Sequence, residues 1–130
     1  MIVVDSSVWI GQLRRSRTAA VEKLEAIRDP ASEIVVGDIV LLEVLSGARD
    51  DRHAAAIERE LRVFKMEPML DEGIAVTAAH NYRVLRGRGI TIRKTIDLII
   101  ATFCLARGHA LLHDDRDFDL MGSHLGLRVI

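Results

Sequence analysis

Three short stretches constrain the fold of this chain most: "IVV" at 2–4, "EIVV" at 33–36 and "ALL" at 110–112. Their apolar residues, β-branched in the first two, run without polar alternation. A strand with one wet face alternates, whereas a strand buried on both faces does not, and sheets covered on both faces are mostly parallel. Segments of helical character separate the three runs. "SSVWIGQLRR" can start a helix directly after the first, with Ser6 or Ser7 as its cap. "RTAAVEKLEAIRD" (17–29) sets Ala20, Val21, Leu24 and Ile27 on one helical face. Asp38 is placed to cap "IVLLEVLSGA", which Gly47 helps to end. Helices are also predicted over 51–64, 71–89 and 95–108, the last apolar almost all round and therefore deep in the core. "KMEPML" (65–70) reads as a short extended piece, and "LRVI" (127–130) as a closing strand. Strands alternating with helices predict an α/β domain, its parallel sheet covered on both faces. Ligands of such sheets collect at the carboxyl ends of the strands, where the chain order reverses.

The length of 130 residues favours a single domain spanning 1–130, with room for one real core. Hydrophobic residues at 49% and charged residues at 28% fit a folded chain rather than a disordered one. No apolar run approaches the roughly 18 residues of a membrane span. The start, "MIVVDSSVWI", lacks a basic segment and carries Asp5 inside its apolar stretch, which makes a poor signal peptide. Cys104 is alone, so no intrachain disulfide forms, and the cytoplasm is the expected location. Within "LIIATFCLA" that thiol reads as buried and inert. A net charge of −1 leaves any anionic partner to local patches.

The acids fall where the sheet ends. Asp5 closes the first strand, and "HDDRDFD" (113–119) follows the strand "ALL". Asp97 lies in the first turn of the most apolar helix, two residues after its expected cap, Thr95. Glu43 interrupts "IVLLEVL", six apolar residues around one carboxylate. Singly, each has a plain explanation: Asp5 as a helix cap, Asp97 as a complement to a helix dipole, one aspartate of 113–119 as an N-cap and another solvated. Glu43 resists such a reading best, because an isolated carboxylate in apolar surroundings costs several kcal/mol or stays protonated. Brought together at one end of the sheet, these acids would repel one another without a counterion. Oxygen-only ligation, with no Cys or His cluster, suits a hard cation such as Mg²⁺ or Mn²⁺. The five histidines are scattered and make no zinc site. No P-loop, Gly-rich dinucleotide turn or HExxH sequence occurs, and Ser6-Ser7 after Asp5 departs from the Asp-x-Asp of haloacid-dehalogenase-type phosphatases.

"MIVVDSSVWI", "VLLEVLSGA" and "TIDLIIATFCLARGHALLHDDRDFD", in this order and spacing, resemble the PIN-domain ribonucleases, and more narrowly the VapC-type toxins of prokaryotic toxin–antitoxin pairs. The resemblance implies a three-layer α/β/α fold with a short parallel sheet, and an acidic pocket that binds Mg²⁺ or Mn²⁺ and hydrolyses RNA. It makes Asp5, Glu43, Asp97 and Asp115 the catalytic acids, with Asp117 the alternative to Asp115. Asp5, Asp97 and Asp115 are the expected metal ligands, direct or through water, and Glu43 either binds metal or orients the attacking water. Whether one metal or two is held stays open. Ser6 and Ser7 match the small hydroxyl residue after the first aspartate, and Ser7 is assigned to substrate binding. His113 stands where the family often has Thr or Ser, and its plain reading is a neutral ring facing solvent. In-line attack by water is expected, leaving 5′-phosphate and 3′-hydroxyl ends.

"RVLRGRGITIRK" (83–94) carries Arg83, Arg86, Arg88, Arg93 and Lys94 without one acid, immediately before Asp97. Arg86, Arg88 and Arg93 are assigned to RNA phosphates, and "RRSR" (14–17) is a second short cluster beside the proposed site. Aromatic residues are scarce at 4%, so the RNA is expected to be read through shape and backbone rather than by stacking. The expected partners are the RNA substrate, a cognate antitoxin protein and a second copy of the chain in a homodimer. Val8 and Trp9 on the first helix suit a dimer surface or the core equally. An arginine on an antitoxin tail would find two carboxylates to bridge with bidentate hydrogen bonds. The alternatives are a catalytically weak RNA-binding or protein-interaction module on the same scaffold, and a housekeeping PIN nuclease without an antitoxin.

Overall fold

The computed structural model describes residues 1–29 and 33–130. Four strands, β1 (Ile2–Val4), β2 (Ile34–Gly37), β3 (Lys65–Glu67) and β4 (Ala110–Leu112), form one parallel sheet in the order β3-β2-β1-β4. Seven helices are described: α1 (Ser6–Leu13), α2 (Ala19–Ile27), α3 (Asp38–Ser46), α4 (Asp51–Leu61), α5 (Glu72–Gly87), α6 (Thr95–Arg107) and α7 (Arg116–Leu125). From β1 the chain steps outward to β2 and then β3, so right-handed crossovers put α1–α4 on one face. The return across the sheet to β4 puts α5 and α6 on the other, where α7 joins them. The result is the three-layer α/β/α arrangement expected. All three residues of β4, the four of β2 and two of the three in β1 are buried, which accounts for their lack of alternation. The edge strand β3 carries Lys65 exposed, and Pro68 follows it.

The chain order reverses at β1, whose neighbours are β2 on one side and β4 on the other. That switch point lies beside Asp5, and the backbone N–H of Asp5 donates to the carbonyl of Leu112 at 2.9 Å, joining the two carboxyl ends.

Several local expectations change. The acidic stretch 113–119, with its expected N-cap aspartate, leads into α7. Asp115 caps it, Gly126 ends it at φ 77°, and Phe118 and Met121 bury one face. The 127–130 strand reduces to one bridge between Leu111 and Val129, after the turn at Gly126. Asp5, rather than Ser6 or Ser7, caps α1. Gly37 holds the cap position of α3, and Asp38 instead ties two segments together, accepting from Ile39 N–H at 2.8 Å and Met69 N–H at 3.0 Å. Lys94, not Thr95, occupies the cap position of α6 and makes no side-chain capping bond. Val8 and Trp9 are in the core, where the Trp9 ring lies 5.3 Å from that of Phe64. Cys104 is buried, as expected, and burial pushes its thiol up to about 12. Among the described residues no helix is long and apolar enough to cross a membrane.

Candidate active site

The pocket begins with the turn from β1 into α1. As N-cap, Asp5 directs one oxygen back at the helix: Oδ2 accepts from Ser7 N–H at 3.0 Å and from Ser7 Oγ at 2.6 Å. Its other oxygen, Oδ1, is buried without a hydrogen-bond partner among the described residues. Ser7 Oγ in turn accepts from the backbone N–H of Asp114 at 3.2 Å, so one hydroxyl joins Asp5 to the loop after β4. The side chain assigned to substrate thus positions an acid. Ser6 performs the same service for the opposite wall, donating through Oγ to Glu43 Oε1 at 2.9 Å. Glu43, half-buried on α3, has its carboxyl raised above the usual range by burial, against the Ser6 bond and helped by the nearby charge of Asp5.

Asp97 enters from the first turn of α6 and is only 5% exposed. Its Oδ2 is buried with no partner among the described residues. Burial first, then the charge of Asp5, pushes its carboxyl up to about 7; Asp115 and Glu43 add to the shift and Lys94 opposes it. These couplings bring Asp5, Glu43, Asp97 and Asp115 into one field. Asp115 faces the pocket from the start of α7: its Oδ1 caps the helix by accepting from Asp117 N–H at 2.9 Å, and its Oδ2 lies 3.5 Å from Lys94 Nζ. Asp117 lies within the first turn of α7 and lines a neighbouring cleft.

His113 does not face solvent. Its side chain is 7% exposed, with Nε2 3.2 Å from Asp119 Oδ1 and the ring 5.2 Å from that of Phe118. Its Nδ1 accepts from the N–H of Asp115 at 3.1 Å, so it braces the loop that carries the fourth acid.

These side chains fit a hard cation. Two buried carboxylate oxygens, Asp5 Oδ1 and Asp97 Oδ2, lack any donor among the described residues, and the four acids offer oxygen alone. No group of three or more His, Cys, Asp or Glu side chains among the described residues is close enough to hold an ion jointly. The fit is therefore with a cation that keeps much of its water, as Mg²⁺ does.

The basic residues divide. Arg93 lines a cleft of about 510 Å³ beside the pocket, together with Thr91, Arg116, Asp117 and Leu120. Arg116, which sequence reasoning missed, enters that cleft because it opens α7; only recognition of that helix could have found it. Arg88 donates to the carbonyl of His124 at 3.0 Å, docking the end of α5 against the end of α7. Arg86 lies over the ring of Tyr82, 5.7 Å from its centroid. "RRSR" follows the far end of α1, about 12 Å along the helix axis from the pocket. There Arg15 and Arg17 share a cavity with Glu22 and Glu25, away from the site.

Comparison with known proteins finds relatives in sequence and in fold. A family model described as PIN domain matches residues 2–123. Ribonuclease VapC11 of Mycobacterium tuberculosis is 33% identical over 133 residues, covering 99% of this chain and 97% of the relative. Among solved structures, VapBC2 from Rickettsia felis bound to a promoter DNA fragment gives a TM-score of 0.77 at 16% identity, covering 100% of this chain and 98% of that one. A toxin–antitoxin complex from Klebsiella pneumoniae gives 0.67 at 19% identity, covering 89% of this chain and 88% of that one. The likeness to both structures is one of fold.

Proposed function

The chain belongs to the PIN-domain family, in its VapC-type branch, and from that premise we propose that it is a Mg²⁺- or Mn²⁺-dependent endoribonuclease, the toxin of a toxin–antitoxin pair. The observation that carries the metal-dependent reading is the pair of buried, partnerless oxygens, Asp5 Oδ1 and Asp97 Oδ2, at the sheet's switch point. A relative named as a ribonuclease, alike over nearly its whole length, supports RNA as the substrate.

Asp5 and Asp97 would hold the cation directly, with Asp115 and Glu43 reaching it through water. When bound, it would supply charge to the phosphoryl oxygens and acidity to a water. The chain does the rest. Ser7 locks the far oxygen of Asp5, leaving Oδ1 aimed into the pocket. Ser6 holds Glu43 by Oε1, and the raised carboxyl of Glu43 is suited to take the proton of an attacking water. Arg93 and Arg116, which line one cleft, neutralise phosphates of the strand leading to the pocket.

The purified protein should cleave RNA with Mg²⁺ or Mn²⁺ to 5′-phosphate and 3′-hydroxyl ends, and EDTA should stop it. Expressed alone it should arrest growth, and co-expression with its antitoxin should restore growth and give a stable complex. The apolar groove between α5 and α6, lined by Leu70, Ala78, Tyr82, Leu98 and Ile99, supports a homodimer, so light scattering should find two copies of the chain in that complex. Cleavage without growth arrest would favour a housekeeping nuclease. RNA binding without cleavage would favour a binding module.

Replacing Arg93 and Arg116 together by serine should weaken RNA binding and lower its log–log salt slope by about 0.7–0.9 for each phosphate left without its guanidinium. Filter binding between 50 and roughly 200 mM salt reads that slope. An unchanged slope would put both guanidiniums away from the strand.

A further inference from the structure

One residue beside the pocket acids carries the opposite charge. Lys94 holds the cap position of α6, where its carbonyl accepts from the N–H groups of Asp97 at 3.1 Å and Leu98 at 3.4 Å. Its backbone is therefore fixed by the same turn that presents Asp97. Its side chain is 67% exposed, yet Nζ reaches across to Asp115 Oδ2 at 3.5 Å. Among the described residues it is the one cation within ion-pairing distance of any of the four acids. Its field lowers the carboxyl pKa of both Asp97 and Glu43, and Asp97, Asp115 and Asp5 all raise its own. One ammonium thus answers to four carboxylates from four separate elements of the fold.

We propose that Lys94 is a tethered counterion, which stands in for the divalent cation in the metal-free protein and withdraws from Asp115 when that cation binds. The inference rests on reading the pocket as a metal site. Two considerations carry it. The partnerless oxygens of Asp5 and Asp97 show a cluster short of positive charge, and Lys94 supplies part of it from within the chain. A divalent ion among the same carboxylates repels the ammonium. The flexible four-carbon stem, already in solvent, lets the charge leave without moving the helix. The ammonium then swings to the pocket mouth, on the side of Arg93, where an RNA phosphate arrives. An arginine could supply the same charge, whereas a neutral side chain could not.

Calorimetric titration of the full chain with MnCl₂ and metal-free thermal unfolding in EDTA, for wild type, Lys94→Gln and Lys94→Arg, test this. Lys94→Gln should bind Mn²⁺ at least about fivefold tighter, because no resident cation has to be displaced. The same variant should melt a few degrees lower without metal, because four carboxylates have been deprived of the one counterion they have among the described residues. Lys94→Arg should return both quantities to near the wild-type values. The opposite signs identify the role. A distant bystander charge would leave the metal-free melting temperature unchanged, and a purely structural lysine would leave the Mn²⁺ affinity unchanged. Either result overturns the proposal. If the wild-type chain binds no Mn²⁺, the metal-site reading fails first and takes this inference with it. If it binds Mn²⁺ and Lys94→Gln binds no tighter, only the role of Lys94 falls.

Discussion

Replacing Asp97 by asparagine is expected to end RNA cleavage and to make the metal-free protein more stable. The first effect follows from losing one of the two carboxylates best placed to hold the cation, worth several kcal/mol in the transition state and so about a thousandfold or more in rate. The second follows from the carboxyl's position at about 7 in the folded chain, against its ordinary 3.8. A carboxyl raised on folding contributes stability below its unfolded pKa and loses it as pH rises through the folded value. Above pH 7 the ionised, buried Asp97 therefore weighs on the metal-free fold, by about 4 kcal/mol at most. Asparagine has nearly the same volume and no charge. The stability gap between variant and wild type should be small near pH 4, grow through neutrality, and be full at pH 8. Urea unfolding in EDTA across that range reads it, and added Mg²⁺ should stabilise the wild type alone. A variant less stable than wild type at pH 8 would mean that the carboxylate makes structural bonds. Residual cleavage close to the wild-type rate would remove Asp97 from the site.

The other large effect is expected away from the acids. Phe118 is fully buried on α7 and packs its ring against His113, whose Nδ1 accepts from the N–H of Asp115. Truncating it to alanine should cost about 3–5 kcal/mol, the range for a buried aromatic. That is a large part of the stability of a domain this size. Because α7 carries Asp115 at its cap, the truncation should also loosen the fourth wall of the pocket. Cleavage should therefore fall even at temperatures where the variant remains folded. Phe118→Leu, which keeps most of the volume, should lose much less of both. A cost below about 1 kcal/mol in chemical denaturation would show that α7 is not anchored through this ring.

The parts of the site legible in the sequence were those where chemistry and pattern conflict. Asp5 follows a β-branched run, Asp97 opens an apolar helix, and Glu43 breaks another; each is a charge where burial is otherwise the rule. The sheet was legible for the same reason, since three runs without alternation leave few ways to cover both faces. What was not legible depends on partners distant in the chain. The bond from Arg88 to His124 spans 36 positions, and it draws toward the fold a side chain that looks free for RNA. In α7 the crowd of aspartates masks the helical spacing of Phe118, Met121 and Leu125, and with it the entry of Arg116 into the cleft. Ser7 reads as a ligand for substrate until Asp114 is seen to donate to it across 107 positions. Lys94 is one base among five in its stretch, and only the placement of Asp115 sets it apart.

The pairing of β1 with β4 has a consequence for how the molecule comes into being. Ile2 lies opposite Ala110 and Val4 opposite Leu112, so the centre of the sheet waits for a strand more than a hundred residues downstream. Pairings of such sequence separation carry the largest loop-closure cost and form late, and a chain made from its N-terminus folds first what emerges first. The segments through β3 have their sheet partners within reach early in synthesis. Asp97, by contrast, meets Asp5 only when α6 docks, and Asp115 only when β4 has closed against β1. The destructive chemistry proposed for this chain is thus withheld by topology until β4 has left the ribosome and closed against β1.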